Sequence, residues 1–110
     1  TALKVLPATR IAQLPHGRRT QVAGITMFRQ RPPTAKGVMF ITLEDETGIV
    51  NLIVWDAVQQ AHREAVVTGS FLIVGGVVQR LEGVTHFIAK RFTDCSDWVG
   101  ELPYLSRDFR

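Results

Sequence analysis

A chain of 110 residues, 45% hydrophobic and 21% charged, is sized for one domain with a single core and has no room for a second. No apolar run approaches the ~18 residues of a membrane-spanning helix, and the lone Cys95 excludes an internal disulfide or a cysteine-pair zinc site and fits a reducing cytoplasm. The net charge of +3 and a pI near 9.6 lie on the side of polyanionic partners; ten of the thirteen basic residues are Arg, whose planar fork suits phosphates and stacks on bases, although GC-rich coding explains that bias equally well.

Residues 1–17 read as a lead-in, with a helical piece over Thr9–Leu14 capped by Thr9 and ended by Pro15 and Gly17. The start has neither an initiating Met nor an apolar core of signal length, so we expect a segment of a longer chain, or a processed or trimmed one. Arg18–Arg29 reads as a first strand, with Gly24 marking a bulge or a sharp bend. The next residues, Gln30–Lys36, include Pro32 and Pro33, which lack amide donors, so a loop is expected with Arg29, Arg31 and Lys36 around it.

Lys36–Trp55 then writes two strands joined by the turn Glu44-Asp45-Glu46-Thr47-Gly48, where Gly48 can take a positive φ. Period-two alternation sends Met39, Ile41 and Leu43 inward and Phe40, Thr42 and Glu44 outward. In the following strand Val50, Leu52 and Val54 alternate with Ile49, Asn51, Ile53 and Trp55, so both faces are apolar apart from Asn51. Val58, Ala61, His62 and Ala65 fall at helical spacing within Asp56–Val67; Asp56 is the expected cap and Gly69 the expected stop. Ser70–Gln79 and Val84–Phe92 read as strands four and five, with Gly75-Gly76 as a barrel bend and Arg80–Gly83 as the turn. The tail, residues 93–110, has no period; Trp98 and Tyr104 are read as anchors.

Three strands, a helix and two strands make the order of the OB-fold, an all-β, five-stranded Greek-key barrel, assigned here to residues 18–92. Such barrels bind oligonucleotides across strands two and three, between the loops joining strands one to two and four to five. On that frame the candidate nucleic-acid-binding residues are Arg29, Arg31, Lys36, Phe40, Asn51, Arg80, Lys90 and Arg91. Phe40 would offer a ring for base stacking and the cations a path for the backbone. The plain alternative makes Phe40 core and the charges a solvated surface. Lys90 and Arg91 are adjacent, so alternation lets at most one of them join the site. Trp55, at a strand-to-helix junction, is read as a core plug.

No catalytic residue, metal ligand or cofactor is expected in this domain. His16, His62 and His86 are far apart in sequence, and no Ser or Cys sits in a nucleophile signature. Glu44-Asp45-Glu46 reads as a solvated turn rather than a cation site, and Gly75-Gly76 lacks the Lys-Ser/Thr continuation of a phosphate loop.

The runs VAGITMFRQRPPTAKGVMFITLEDETGIVNLIVW and GSFLIVGGVVQRLEGVTHFIAKRFTD, with the terminal SRDFR, resemble the C-terminal OB domain of bacterial C-family DNA polymerases, in the error-prone, damage-tolerance branch beside the polymerase III alpha subunit. The resemblance covers Leu14–Arg110, with Trp55-Asp56 standing where Trp-Pro is expected. It implies a non-catalytic module that holds the single-stranded template during synthesis across damage, in the cytoplasm of a bacterium, within a parent that is a DNA-directed DNA polymerase. It also implies an assembly with a sliding clamp, an inactive Y-family-like protein and a recombinase, so a module that docks such partner subunits is the rival reading. A more distant resemblance, to the anticodon-binding barrels of class II aminoacyl-tRNA synthetases, places a base-stacking phenylalanine on Phe40 and a base-contacting amide on Asn51, and makes RNA binding a third reading.

Overall fold

Alternating apolar residues become the wall of a closed barrel in the computed structural model, which describes residues 5–32 and 37–97. In chain order the elements are β1 (Val5–Leu6), α1 (Ala8–Ile11), β2 (Arg19–Gln30), β3 (Met39–Asp45), β4 (Gly48–Val54), α2 (Asp56–Ala61), α3 (Arg63–Thr68), β5 (Phe71–Leu81) and β6 (Val84–Asp94). The strands pair in the order β2-β3-β4-β6-β5 and close through β2–β5, with β4 and β6 parallel: the OB-fold.

Closure depends on β2, which is long enough to pair twice. Arg19–Ile25 pairs with β5 and Ile25–Gln30 with β3, while β1 runs parallel along Gln21 and Val22. Gly24 sits at the changeover, where a Cβ would lie 2.7 Å from the Glu44 carbonyl oxygen, so only glycine lets β2 pass that close to β3. The bulge itself falls three residues later: Thr26 pairs with Leu43 and Phe28 with Thr42, leaving Met27 as the extra residue. A second bulge lies in β6, where Gly75 pairs with Arg91 and Gly76 with Ala89, leaving Lys90 unpaired. There Gly76 is obligatory, since a Cβ would stand 2.1 Å from the Ile88 carbonyl.

Val22, Ile41, Leu43, Leu52, Val54, Leu72, Val74, Val78 and Phe87 are fully buried, so every barrel strand contributes to one core. At ~1.5–3 kcal/mol for each large apolar side chain removed from water, this burial is the main stabilising term. Ile11 of α1 plugs one end of the barrel and Val66 of α3 belongs to the same core. Phe71 and Cys95 form a smaller cluster with Ala23, Ile25 and Ile73 on the outer wall of β2 and β5. Burial pushes the Cys95 thiol pKa up, and the nearby Asp94 carboxylate adds to the shift.

Several local expectations need correction. The first helix is one turn, Ala8–Ile11, with Pro7 rather than Thr9 at its N-cap. Its first amides are capped from the β3–β4 hairpin instead: Ala8 N–H donates to Asp45 Oδ2 (2.8 Å) and Thr9 N–H to Thr47 Oγ1 (3.2 Å). The other oxygen of Asp45 accepts from Thr47 N–H, the Thr47 hydroxyl and Gly48 N–H, so this carboxylate organises the turn and ties it to α1. The single helix expected over Asp56–Val67 is two short ones, broken at His62 (φ −126°, ψ 37°), whose ring packs 5.9 Å from that of Phe92. Asp56 makes no capping hydrogen bond; Trp55 holds the N-cap position. Gly69 ends α3 in extended rather than left-handed geometry, and is glycine because a Cβ would meet Leu72 and the Ala65 carbonyl. Strands four and five run two residues further than expected, to Leu81 and Asp94. Pro33–Lys36 and the tail from Trp98 onward lie outside the described residues.

Asp45→Ala removes the acceptor shared by the turn and α1, and should lower stability by about 1–3 kcal/mol, read as a reduced urea midpoint with an unchanged far-UV spectrum. Cys95 should resist a thiol reagent at mildly alkaline pH until denaturant is added. Because folding raises its pKa, its contribution to stability is complete below the pKa of an unfolded cysteine and is lost as pH rises through the folded value; a denaturation series at rising pH reads this.

Candidate nucleic-acid interface

Cross-strand pairs share a face, so the registers define the outer surface of β2, β3 and β4 row by row. One row holds Phe28, Thr42 and Asn51; the next holds Gln30, Phe40 and Ile53. Phe28 is 71% exposed and Phe40 36%, on neighbouring strands one row apart. Phe40 thus faces outward, as its alternation requires. Beside the rings the Thr42 hydroxyl donates to Asn51 Oδ1 at 3.2 Å, which leaves the Asn51 amide protons without a partner among the described residues. Flat apolar faces beside a small hydrogen-bonding pair can stack a base and read its edge.

Phe28 was not among the sequence candidates, and alternation hides it. Counting by twos from Val22 through Gly24 and Thr26 places residue 28 inward; the bulge at Met27 reverses the parity, and both Met27 and Phe28 emerge on the outside. Trp55, expected as a core plug, is also exposed, at 53%, because β4 ends at Val54 and the chain turns into α2 with the indole left outside. Phe28, Phe40 and Trp55 step diagonally from β2 through β3 to the end of β4.

The candidate cations do not gather beside these rings. Arg29 pairs with Ile41 on the inner face and donates to the carbonyl oxygens of Val66 (2.6 Å, from Nε) and Gly69, clamping the end of α3 to the barrel. Burial draws its pKa below the ordinary value against the opposing pull of Asp94. Arg31 donates to Gln59 Oε1, and the buried Gln59 amide donates to the carbonyls of Gly37 (2.6 Å) and Val54 (2.9 Å), so the two shoulders of the β2–β3 loop are tied to α2. Arg80 lies at the other end, donating to the carbonyls of Ala12 and Leu14 behind α1, while its own amide donates to His16 Nδ1 at 2.9 Å. Lys36 lies outside the described residues.

Lys90 and Arg91 are placed together, against the expectation from strict alternation. The bulge leaves both exposed, lining one cleft with Arg19 and Val77 on the β2–β5–β6 wall rather than on the β3–β4 face. The three histidines do not converge: His16 holds the Arg80 amide, His62 packs on Phe92, and His86 pairs with Gln79. Among the described residues no three His, Cys, Asp or Glu side chains come together in a metal-binding group.

The family described as "OB-fold nucleic acid binding domain", of the tRNA anticodon type, matches residues 20–94. An error-prone DNA polymerase of Caulobacter vibrioides is 55% identical over 98 residues, 89% of this chain and 9% of that protein. One from Alkalilimnicola ehrlichii is 46% identical over 106 residues, 96% of this chain and 10% of that protein. The chain therefore spans about a tenth of the length of these curated relatives. Among solved structures, asparaginyl-tRNA synthetase from Pyrococcus horikoshii shares the fold, with a TM-score of 0.70 at 21% identity over 84% of this chain and 22% of that one. The chain belongs to the family of OB-fold nucleic-acid-binding domains, and its sequence relatives are segments of error-prone DNA polymerases.

Proposed function

We propose that this domain holds single-stranded DNA across the outer face of β2, β3 and β4, as the non-catalytic template-holding module of an error-prone polymerase that copies damaged DNA. The observation that carries the reading is the pair Phe28 and Phe40, exposed on adjacent strands beside Thr42 and Asn51. Two rings one row apart give successive bases separate platforms, and the Asn51 amide can donate to a base carbonyl. The likeness to error-prone DNA polymerases supports a DNA-directed DNA polymerase as the parent chain; its place in the bacterial cytoplasm and its work in repair and replication are part of the proposal.

Phosphate attraction on this face has fewer cations than the sequence suggests, since Arg29 and Arg80 are committed to backbone carbonyls. Arg31 spends only part of its fork on Gln59 and remains exposed, so it is the described cation best placed to meet a backbone entering from the β2–β3 loop. Stacking should therefore dominate, with little sequence preference.

Fluorescence anisotropy with labelled oligo-dT of about 15 nucleotides, near the upper end of the ~4–16 that one OB barrel covers, tests the reading. Phe28→Ala and Phe40→Ala should each weaken binding roughly 5- to 150-fold, the equivalent of ~1–3 kcal/mol per stacked base, without loss of fold. Unchanged affinity in both variants would refute the proposed face. Oligo-rU of equal length should compete less well than oligo-dT; the reverse order would favour the anticodon-type role.

A further inference from the structure

A cleft of about 230 Å³ opens on the far wall of the barrel between Arg19 of β2, Gly76 and Val77 of β5, and Lys90 and Arg91 of β6. In the ring order β2-β3-β4-β6-β5, β5 lies opposite the β3–β4 face, and Arg19 and Phe28 sit near opposite ends of β2. Registers place Arg19 beside Val77 and Arg91 beside Gly75, so the two guanidinium groups flank one stretch of β5. Gly75 makes that possible: a Cβ there would lie 2.6 Å from Arg91 Nη2, so the Arg91 side chain rests over bare backbone. The β6 bulge adds Lys90 to the same opening.

Arg19, Lys90 and Arg91 make no side-chain hydrogen bond or ion pair with any described residue, in contrast to Arg29, Arg31 and Arg80. Among the described residues no carboxylate lines the cleft. Three like charges held together without a counter-charge among the described residues repel one another, and a ligand anion relieves that repulsion. The volume is below the ~300–1,000 Å³ that encloses a drug-sized molecule, and the described lining residues include no aromatic ring to stack a base or anchor a protein side chain. Its chemistry fits a phosphodiester, which two forks and an ammonium can grip without reading sequence.

We propose that this cleft is a second nucleic-acid contact, binding the sugar-phosphate backbone on the wall opposite the aromatic face, so that a long strand continues around the barrel after leaving Phe28 and Phe40. The inference rests on the nucleic-acid reading above for its ligand, and oligonucleotide length separates the two. The probes are oligo-dT of about 6 nucleotides, near the lower end of the ~4–16 covered by one OB barrel, and of about 30, well beyond its upper end. In R19Q/K90Q/R91Q, affinity for the long probe should fall roughly 10-fold at low salt, and the slope of log K against log salt should shrink by about 2, given ~0.7 per phosphate on a single strand. The short probe should bind as before, whereas F28A/F40A should weaken both lengths. An unchanged long-probe slope in the triple variant, with F28A/F40A still weakened, overturns the second site alone; unchanged binding in both variants overturns both readings. Should the triple variant fail to fold, the Nε–Hε resonances of Arg19 and Arg91 in the unaltered chain serve instead. They should shift with the long oligo-dT and stay fixed with a poly-glutamate peptide; the opposite pattern would assign the cleft to an acidic protein partner and overturn the proposal.

Discussion

The barrel depends on one strand that changes barrel partners along its length. β2 must satisfy its backbone against β5 in its first half and β3 in its second, and a strand bent that far cannot keep regular pleating. Gly24 and Gly76 mark the places where backbones come too close for any side chain, and the bulges at Met27 and Lys90 absorb the remaining mismatch. The closed ring buries one main core and gives each barrel strand a neighbour on both sides.

Each bulge also has a chemical consequence. Where pleating is regular, neighbouring residues point to opposite sides; where it is interrupted, two successive side chains emerge together. In β2 the emergent pair is Met27-Phe28, apolar and beside Phe40; in β6 it is Lys90-Arg91, cationic and beside Arg19. The same geometric device thus builds a stacking surface on one wall and a charged cleft on the other, while Arg29, Arg31 and Arg80 hold helices and loop shoulders in place.

Legibility in the sequence followed the same division. The barrel, its strand order and the outward direction of Phe40 can be read from alternation, because residues 39–54 form a regular hairpin with Met39, Ile41, Leu43, Val50, Leu52 and Val54 all buried. Phe28 and the joint exposure of Lys90 and Arg91 could not, since a bulge breaks the period on which such reading depends. Cationic side chains are hard to read for a different reason: sequence gives Arg29 and Arg80 as charges, but not that their guanidinium groups donate to carbonyls at the ends of α3 and α1, long-range pairings no local pattern encodes. Spacing places a helix after β4, but spacing alone does not reveal the break at His62 that divides it in two.

The central claim, that a bulge turns Phe28 out beside Phe40 to make a platform for bases, is tested most directly by intermolecular NOEs in the complex with oligo-dT. Cross-peaks from thymine methyl and H6 protons to the ring protons of both Phe28 and Phe40 are the expected result. Thymine contacts confined to other surfaces, with both rings showing cross-peaks only to protein, would contradict it.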